Sequence, residues 1–106
     1  MTKRSLSNAD RILTRHPEGK EGVNIERAKY DAMKSAILRS VGRSRTGILF
    51  QELPQLVRDQ LPEAIFPRNG SVMWYVTTVK LDLEARGLIE RVPGKSPQRL
   101  RRSKAL

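Results

Sequence analysis

The densest chemistry in this sequence is cationic and lies near its carboxyl-terminal end. Residues 91–106 contain six basic side chains and no acidic one. They are Arg91, Lys95, Arg99, Arg101, Arg102 and Lys104. Guanidinium and ammonium groups neutralise phosphates, and an arginine can hold one phosphate through two parallel hydrogen bonds. The segment therefore predicts a surface for a polyanion, although positive charge also protects an exposed edge strand from aggregation.

The distribution of charge supports a polyanionic partner. The 106 residues carry a formal net charge of +10. Residues 1–20 contribute +3 and residues 91–106 contribute +6, whereas the residues between them sum to +1. A charge excess gathered at two ends is typical of proteins that bind nucleic acid. The alternative is a pair of solvated tails that keep the protein dispersed.

Catalytic and metal-binding chemistry has few candidates. The sequence contains no cysteine and one histidine, His16. His16 lies in a loop-type stretch with no residue spaced to orient it as a base, and no cluster of His, Asp and Glu has the spacing of metal ligands. We therefore predict no catalytic residue, no metal and no cofactor, and a protein that is not an enzyme.

The cationic segment follows an amphipathic helix and belongs to a hairpin. The helix is predicted over residues 71–86, and Gly87 ends it. Its core face carries Val72, Val76, Val79 and Leu83, spaced by three and four residues. Residues 88–92 and 98–102 then form two strands, joined by a turn rich in proline and glycine. The order of these elements sets a helix beside a basic hairpin.

Two shorter predictions concern the chain before this helix. A first helix is predicted between Asn24 as N-cap and Gly42 as the residue that ends it. Its core face carries Tyr30, Met33, Ile37 and Val41. Residues 47–50 suit a small strand, and a second helix follows over residues 53–61, with Pro54 in its first turn.

The predicted fold is mainly α with a small β-hairpin, in the α+β class. Three helices and a two- to three-stranded wing make a winged helix-turn-helix domain, expected at residues 24–102. Residues 1–23 are expected to form an N-terminal arm and residues 103–106 a basic tail. No apolar run approaches the roughly 20 residues that span a bilayer. The expected location is the cytoplasm, with no membrane partner.

The front of the third helix is the predicted reading element. In helix-turn-helix docking, the N-terminal half of the second helix of the motif reaches base edges in the major groove. Residues 71–78 contain no acidic side chain that would repel phosphate. The predicted DNA-binding residues are Ser71, Trp74, Tyr75, Thr78, Lys80, Arg91, Lys95, Arg99, Arg101 and Arg102. The aromatic pair Trp74 and Tyr75 also suits core packing or a protein-binding patch.

Part of the chain resembles a known group. Residues 74–91, from Trp74 to Arg91, resemble the signature block of a family of small, uncharacterised bacterial proteins, and the likeness spans most of residues 12–102. The run Glu84-Ala85-Arg86-Gly87-Leu88-Ile89-Glu90-Arg91 is also similar to the recognition helix and first wing strand of winged-helix transcription regulators. The resemblance implies a winged-helix fold and no assigned activity.

Together these patterns predict binding of double-stranded DNA by a transcriptional regulator associated with the nucleoid. The helix at 71–86 is expected in the major groove and the basic hairpin at 88–102 on the backbone. One alternative is an adaptor whose Trp74 and Tyr75 patch docks a protein partner. Another is an RNA- or ribosome-associated protein, and a homodimer is compatible with each of these.

Overall fold

Within the part of the chain that the structure describes, the fold consists of three helices and two antiparallel sheets. The computed structural model describes residues 10–66, 72–94 and 97–104. The helices are α1 (Arg27–Val41), α2 (Leu53–Arg58) and α3 (Val72–Ala85). The strands are β1 (Arg11–Leu13), β2 (Asn24–Glu26), β3 (Ile48–Leu49), β4 (Ile89–Arg91) and β5 (Arg99–Arg102), and a 3-10 turn, Phe50–Glu52, precedes α2. The α+β class is confirmed. Within the described ranges, no helix has the length and apolar character to cross a membrane.

The hydrophobic core lies between α1 and α3. The residues predicted on the core faces of both helices are buried: Tyr30, Met33, Ile37 and Val41 of α1, and Val72, Val76, Val79 and Leu83 of α3. α2 adds Leu53 and Val57, and the larger sheet adds Ile89 and Leu100, each 2% exposed or less. Truncation of one such aliphatic side chain to alanine typically costs about 2–5 kcal/mol.

α1 begins later than the sequence predicts. Its first residue is Arg27, because Asn24 pairs with Leu13 in the hairpin of β1 and β2. Strand pairing prevails here since it buries Ile25, which is 4% exposed, and supplies partners for the main chain. The predicted N-cap at Asn24 is therefore wrong. Gly42 follows the last residue of α1 with a φ of 65°, as predicted.

The β1–β2 hairpin lies across the boundary expected between an arm and a domain. The N–H of Thr14 donates to the carbonyl of Val23 at 2.9 Å, and the N–H of Val23 donates to the hydroxyl of Thr14 at 2.9 Å. The backbone N–H of Arg27 also bonds to the carbonyl of Asp10. The segment before α1 is thus a folded part of the molecule from residue 10 onward.

The larger sheet attaches the carboxyl-terminal hairpin to the helices. Its order is β3-β5-β4, with both pairs antiparallel. Ile48 pairs with Leu100, and Ile89 pairs with Arg102. A strand from the connection between α1 and α2 therefore holds β5 in place. The small strand predicted within residues 47–50 is confirmed.

α3 ends in a turn that Gly87 makes possible. Gly87 has a φ of 78°. Its N–H donates to the carbonyl of Glu84 at 3.1 Å, and the N–H of Leu88 donates to that of Leu83 at 2.9 Å. This pair of bonds is the Schellman pattern, which satisfies the last carbonyls of a helix. The predicted role of Gly87 in ending the third helix is confirmed, although α3 ends at Ala85, one residue before the predicted Arg86. Its predicted first residue, Ser71, lies outside the described residues.

α2 is shorter than predicted. Pro54 sits in its first turn as expected, but the helix ends at Arg58. Isolated turns follow, in which Gln60 donates to the carbonyl of Val57 at 2.9 Å and Leu61 to that of Arg58 at 3.4 Å. Leu61 packs on the core as a partly buried residue. The apolar spacing that predicted helix up to Leu61 thus reflects burial in a turn.

Candidate nucleic-acid interface

The solvent-facing side of α3 is uncharged. At about 3.6 residues per turn, this side is opposite the buried valines of the helix. Its members are Met73, Trp74, Thr77, Thr78 and Leu81. Met73 and Trp74 are each 46% exposed, and the other three are partly exposed. The first acidic residue of the helix, Asp82, is fully buried. The five residues of this face therefore contribute no charge of their own.

The two aromatic residues of α3 have different environments. Tyr75 packs edge-on against Phe66, with ring centroids 5.2 Å apart, and the Nζ of Lys29 lies 5.4 Å from the Tyr75 ring. Trp74 packs edge-on against Tyr75 at 4.9 Å and keeps its other side in solvent. Tyr75 is therefore held by the protein, and Trp74 is the aromatic that a ligand can reach.

A small cleft separates α3 from the loop between β1 and β2. Its volume is about 150 Å³, and Trp74, Thr78 and Leu81 line it from the helix. Arg15, His16 and Glu21 line it from the loop, so this edge carries one arginine and one carboxylate. Thr78 is thus partly covered by the loop, and Arg15 stands at one edge of the uncharged face.

A buried carboxylate fixes this loop on α3. Oδ1 of Asp82 accepts the main-chain N–H of Arg15 at 2.8 Å, and Oδ2 accepts the hydroxyl of Tyr30 at 2.5 Å. The Nε of Arg86 lies 2.9 and 2.8 Å from these two oxygens. Burial, followed by the hydrogen bond to Asp82, raises the pKa of Tyr30. The carboxylate of Asp82 therefore links the loop, α1 and α3 through hydrogen bonds.

Arg91 stands at the opposite edge of the uncharged face. Its Nε lies 3.5 Å from Oε1 of Glu84, and its side chain is 55% exposed. Glu84 and Thr78 are on opposite flanks of Leu81, because each is three residues from it along a helix of about 3.6 residues per turn. The exposed face of α3 therefore lies between the arginine of the loop and the arginine of β4.

Lys80 faces the interior. It is 3% exposed, its ammonium lies 2.6 Å from Oε2 of Glu84, and it sits 4.9 Å from the centroid of the Phe50 ring. Burial lowers the pKa of Lys80, against the effect of the hydrogen bond to Glu84. The predicted contact between Lys80 and a phosphate is incompatible with this position, because a phosphate cannot reach an enclosed ammonium.

The arginines of β5 are not equally available. Nε of Arg101 lies 2.5 Å from Oε2 of Glu90, and Nη2 of Arg102 donates to the carbonyl of Leu38 at 2.9 Å. Arg99 is exposed, and its Nη1 makes a longer bond of 3.3 Å to a main-chain carbonyl ahead of β3. Arg99 is therefore the β5 arginine with the weakest contact to the protein. The predicted contacts Ser71 and Lys95 lie outside the described residues.

The imidazole of His16 is held within its own loop. Nδ1 of His16 accepts the main-chain N–H of Glu18 at 3.1 Å, which engages one ring nitrogen in a local turn. Among the residues whose positions are described, no three His, Cys, Asp or Glu side chains are grouped closely enough to hold a metal ion.

A comparison with protein-family models identifies the family of this chain. The model of DUF6958, a family of unknown function, matches residues 11–100. The chain belongs to this family. The match begins at β1 and runs into β5, so the DUF6958 domain includes the first hairpin together with the three helices. Comparisons with curated proteins and with solved structures gave no match. Family membership assigns no activity.

Sequence reasoning missed three exposed arginines. Arg15 reaches α3 through Asp82, 67 residues later in the chain, so no local pattern marks it. Arg43 and Arg45 follow α1 and lie beside the end of β5. Both residues come directly after Gly42, the glycine predicted to end the first helix. Their position in the sequence therefore indicated that they share one loop.

Proposed function

We propose that this protein is a winged-helix domain that binds double-stranded DNA, with α3 in the major groove. The observation that carries the proposal is the uncharged, exposed face of α3 between Arg15 and Arg91. A helix with its side chains is about 10–12 Å across, and the major groove is about 12 Å wide with a phosphate backbone on each side. Cations at both edges of an inserted helix would meet phosphates of both strands.

The order of elements supports this proposal. α1, β3, α2, α3 and the β4–β5 hairpin follow one another, with β3 paired to β5. A wing sheet of this kind beside the last helix is the arrangement that the sequence predicts for a winged helix-turn-helix domain. We infer transcriptional regulation as the role, because a groove-reading helix supplies sequence preference that a basic surface alone lacks.

The proposed contacts divide into two groups. Trp74, Thr77 and Thr78 would meet base edges, where hydroxyl groups bond to several bases and apolar atoms contact the thymine methyl group. Arg15, Arg91 and Arg99 would meet phosphates, which set affinity on any sequence.

The first test is the salt dependence of duplex binding. Fluorescence anisotropy with labelled duplexes at about 50 mM and about 200 mM salt should give a log–log slope of about −3, since about three phosphates are neutralised. Arg91→Ala and Arg99→Ala should each reduce the slope by about 1. Arg27→Ala is the matched control, because Arg27 is exposed at the start of α1 beside three carboxylates, far along the chain from α3.

A second test uses the single tryptophan of the chain, Trp74. Its emission should change when a duplex is added, because α3 enters the groove. Trp74→Phe and Thr78→Ala should alter the ranking of affinities among sequences, whereas Arg99→Ala should lower all of them alike. Absence of binding to any duplex at about 50 mM salt would overturn the proposal.

A protein-docking role is the second candidate function. It is favoured by the exposure of two neighbouring apolar side chains, Met73 and Trp74, each 46% accessible. In this case Trp74→Ala should abolish binding of a protein partner, and the interaction should depend little on salt. Arg91→Ala and Arg99→Ala should then leave that interaction unchanged.

A further inference from the structure

A second basic site lies where the end of β5 meets the loop between α1 and β3. A cleft of about 420 Å³ there is lined by Arg43, Arg45, Arg102, Ser103 and Lys104. Four of these five residues are cationic and none is acidic. A cleft lined by one sign of charge concentrates the electrostatic potential and attracts counter-ions.

Two of the cations are fixed in direction by the protein. Nη1 of Arg45 donates to the carbonyl of Arg102 at 2.8 Å, and Nη2 of Arg102 donates to the carbonyl of Leu38 at 2.9 Å. The Nε of Arg102 is enclosed and bonds to no protein atom that the structure describes. These contacts order the two guanidinium groups before any ligand arrives, which lowers the entropic cost of binding.

The positive charge of the cluster is only partly balanced. Among the residues whose positions are described, Glu90 is the carboxylate in contact with a member of the cluster, at 3.6 Å from Arg45. The same oxygen of Glu90 lies 2.5 Å from Arg101, which shares its charge. Arg43 and Lys104 are exposed at the rim. The mutual repulsion of these cations falls when an anion binds among them.

We propose that this cleft binds a phosphate-bearing ligand with at least two negative charges. Arginine holds phosphate oxygens through paired N–H···O bonds, and lysine adds a compact charge. The anchored pair Arg45 and Arg102 forms the fixed part of the site, and Arg43 and Lys104 close on the ligand from the rim.

This site is separate from the face of α3. Its lining comes from the loop after α1 and from the end of β5 and the residues after it, whereas α3 contributes Trp74, Thr78 and Leu81 to a different cleft. The inference therefore stands whether or not α3 binds DNA. The phosphate groups could belong to a nucleic-acid backbone or to a free polyphosphate compound, and the experiment separates these sources.

The test uses the double variant Arg43→Ala/Lys104→Ala, which removes the rim and leaves the anchored pair intact. Its circular dichroism should match that of the parent protein. Two probes are titrated at low salt: inorganic pyrophosphate by calorimetry, and a short duplex by anisotropy. The variant should bind at least one probe about tenfold more weakly, the effect of losing a charge-assisted hydrogen bond.

The matched control is Arg11→Ala/Arg27→Ala, which removes the same charge from a cleft that also contains Asp10, Glu26 and Asp31. Loss of pyrophosphate binding with unchanged duplex binding identifies a free phosphate compound as the ligand, and loss of duplex binding identifies the backbone. If neither probe is affected more by the rim variant than by the control variant, the proposal is overturned.

Discussion

The main-chain N–H of Arg15 and the carboxylate of Asp82 lie 2.8 Å apart, and this bond fixes the first loop of the protein to α3. Asp82 is 0% exposed, so its charge depends on protein donors in place of water. Tyr30 and Arg86 supply the others. One side of the proposed interface is therefore positioned from the interior of the domain.

Replacement of Asp82 by asparagine should lower the free energy of unfolding by about 2–4 kcal/mol. The amide keeps the shape of the side chain but leaves Arg86 without its partner and turns an N–H₂ group toward other donors. Urea denaturation followed by circular dichroism measures the loss. Asp59→Asn, at an exposed position, is the control, with an expected change within about 0.5 kcal/mol. A loss below about 1 kcal/mol for Asp82→Asn would show that the carboxylate charge does not hold these elements together.

The stability of the protein should decrease above about pH 10 through Tyr30. Burial and the bond to Asp82 raise the pKa of this phenol in the folded protein. The stabilising contribution of the protonated phenol is complete below the pKa of tyrosine in the unfolded chain, about 10. It is lost as the pH rises beyond that value, because there only the unfolded chain releases the proton. The free energy of unfolding, measured from about pH 8 to about pH 11, should fall more steeply for the parent protein than for Tyr30→Phe. If the difference in free energy of unfolding between the two proteins stays constant across this range, Tyr30 is not the source of the pH dependence.

Lys80→Met should change stability and leave duplex affinity unchanged. Glu84 has a side chain only 9% exposed and would lose the ammonium at 2.6 Å. We expect a loss of about 1–3 kcal/mol, the usual penalty for a buried polar group deprived of its partner. Thermal unfolding measures the first effect, and anisotropy measures the second. A rise in Kd equal to that of Arg91→Ala would mean that Lys80 does reach a phosphate.

Gly47→Ala should disrupt the pairing of β3 with β5. Gly47 has a φ of 80°, and a methyl group there would lie 2.6 Å from the carbonyl oxygen of Leu100, a main-chain atom. The expected loss is about 2–3 kcal/mol, because strain and contact act together. Gly19 has a φ of 79° with open space around it, so Gly19→Ala shows the strain alone, about 1 kcal/mol. Equal losses at the two positions would exclude a steric contribution at Gly47.

The helical part of the fold could be predicted from local patterns. In α1 and α3 the apolar residues repeat at three and four positions, and each helix is followed by a glycine in the left-handed region, Gly42 or Gly87. These signals depend on residues close together in the chain, so they can be recognised from a single sequence. The small strand β3 was visible as an apolar run too short for a helix.

The edges of the candidate interface could not be predicted in the same way. Asn24 has the chemistry of an N-cap, but its pairing with Leu13 depends on a hairpin that local propensity only weakly indicates. In the sequence Lys80 has the character of a surface cation. In the structure Glu84, one helical turn later, and the ring of Phe50 enclose it. Such placements follow from tertiary contacts, which override the preference of a single residue.

The bond between Arg15 and Asp82 also determines how far the protein can be trimmed. A fragment starting at Asn24 would lack β1, the neighbour of β2, and would leave an enclosed negative charge with one donor fewer. Such a fragment should be degraded quickly by proteases and recovered mainly as aggregate. The smallest autonomous unit of this protein therefore has to retain the chain from residue 10 onward.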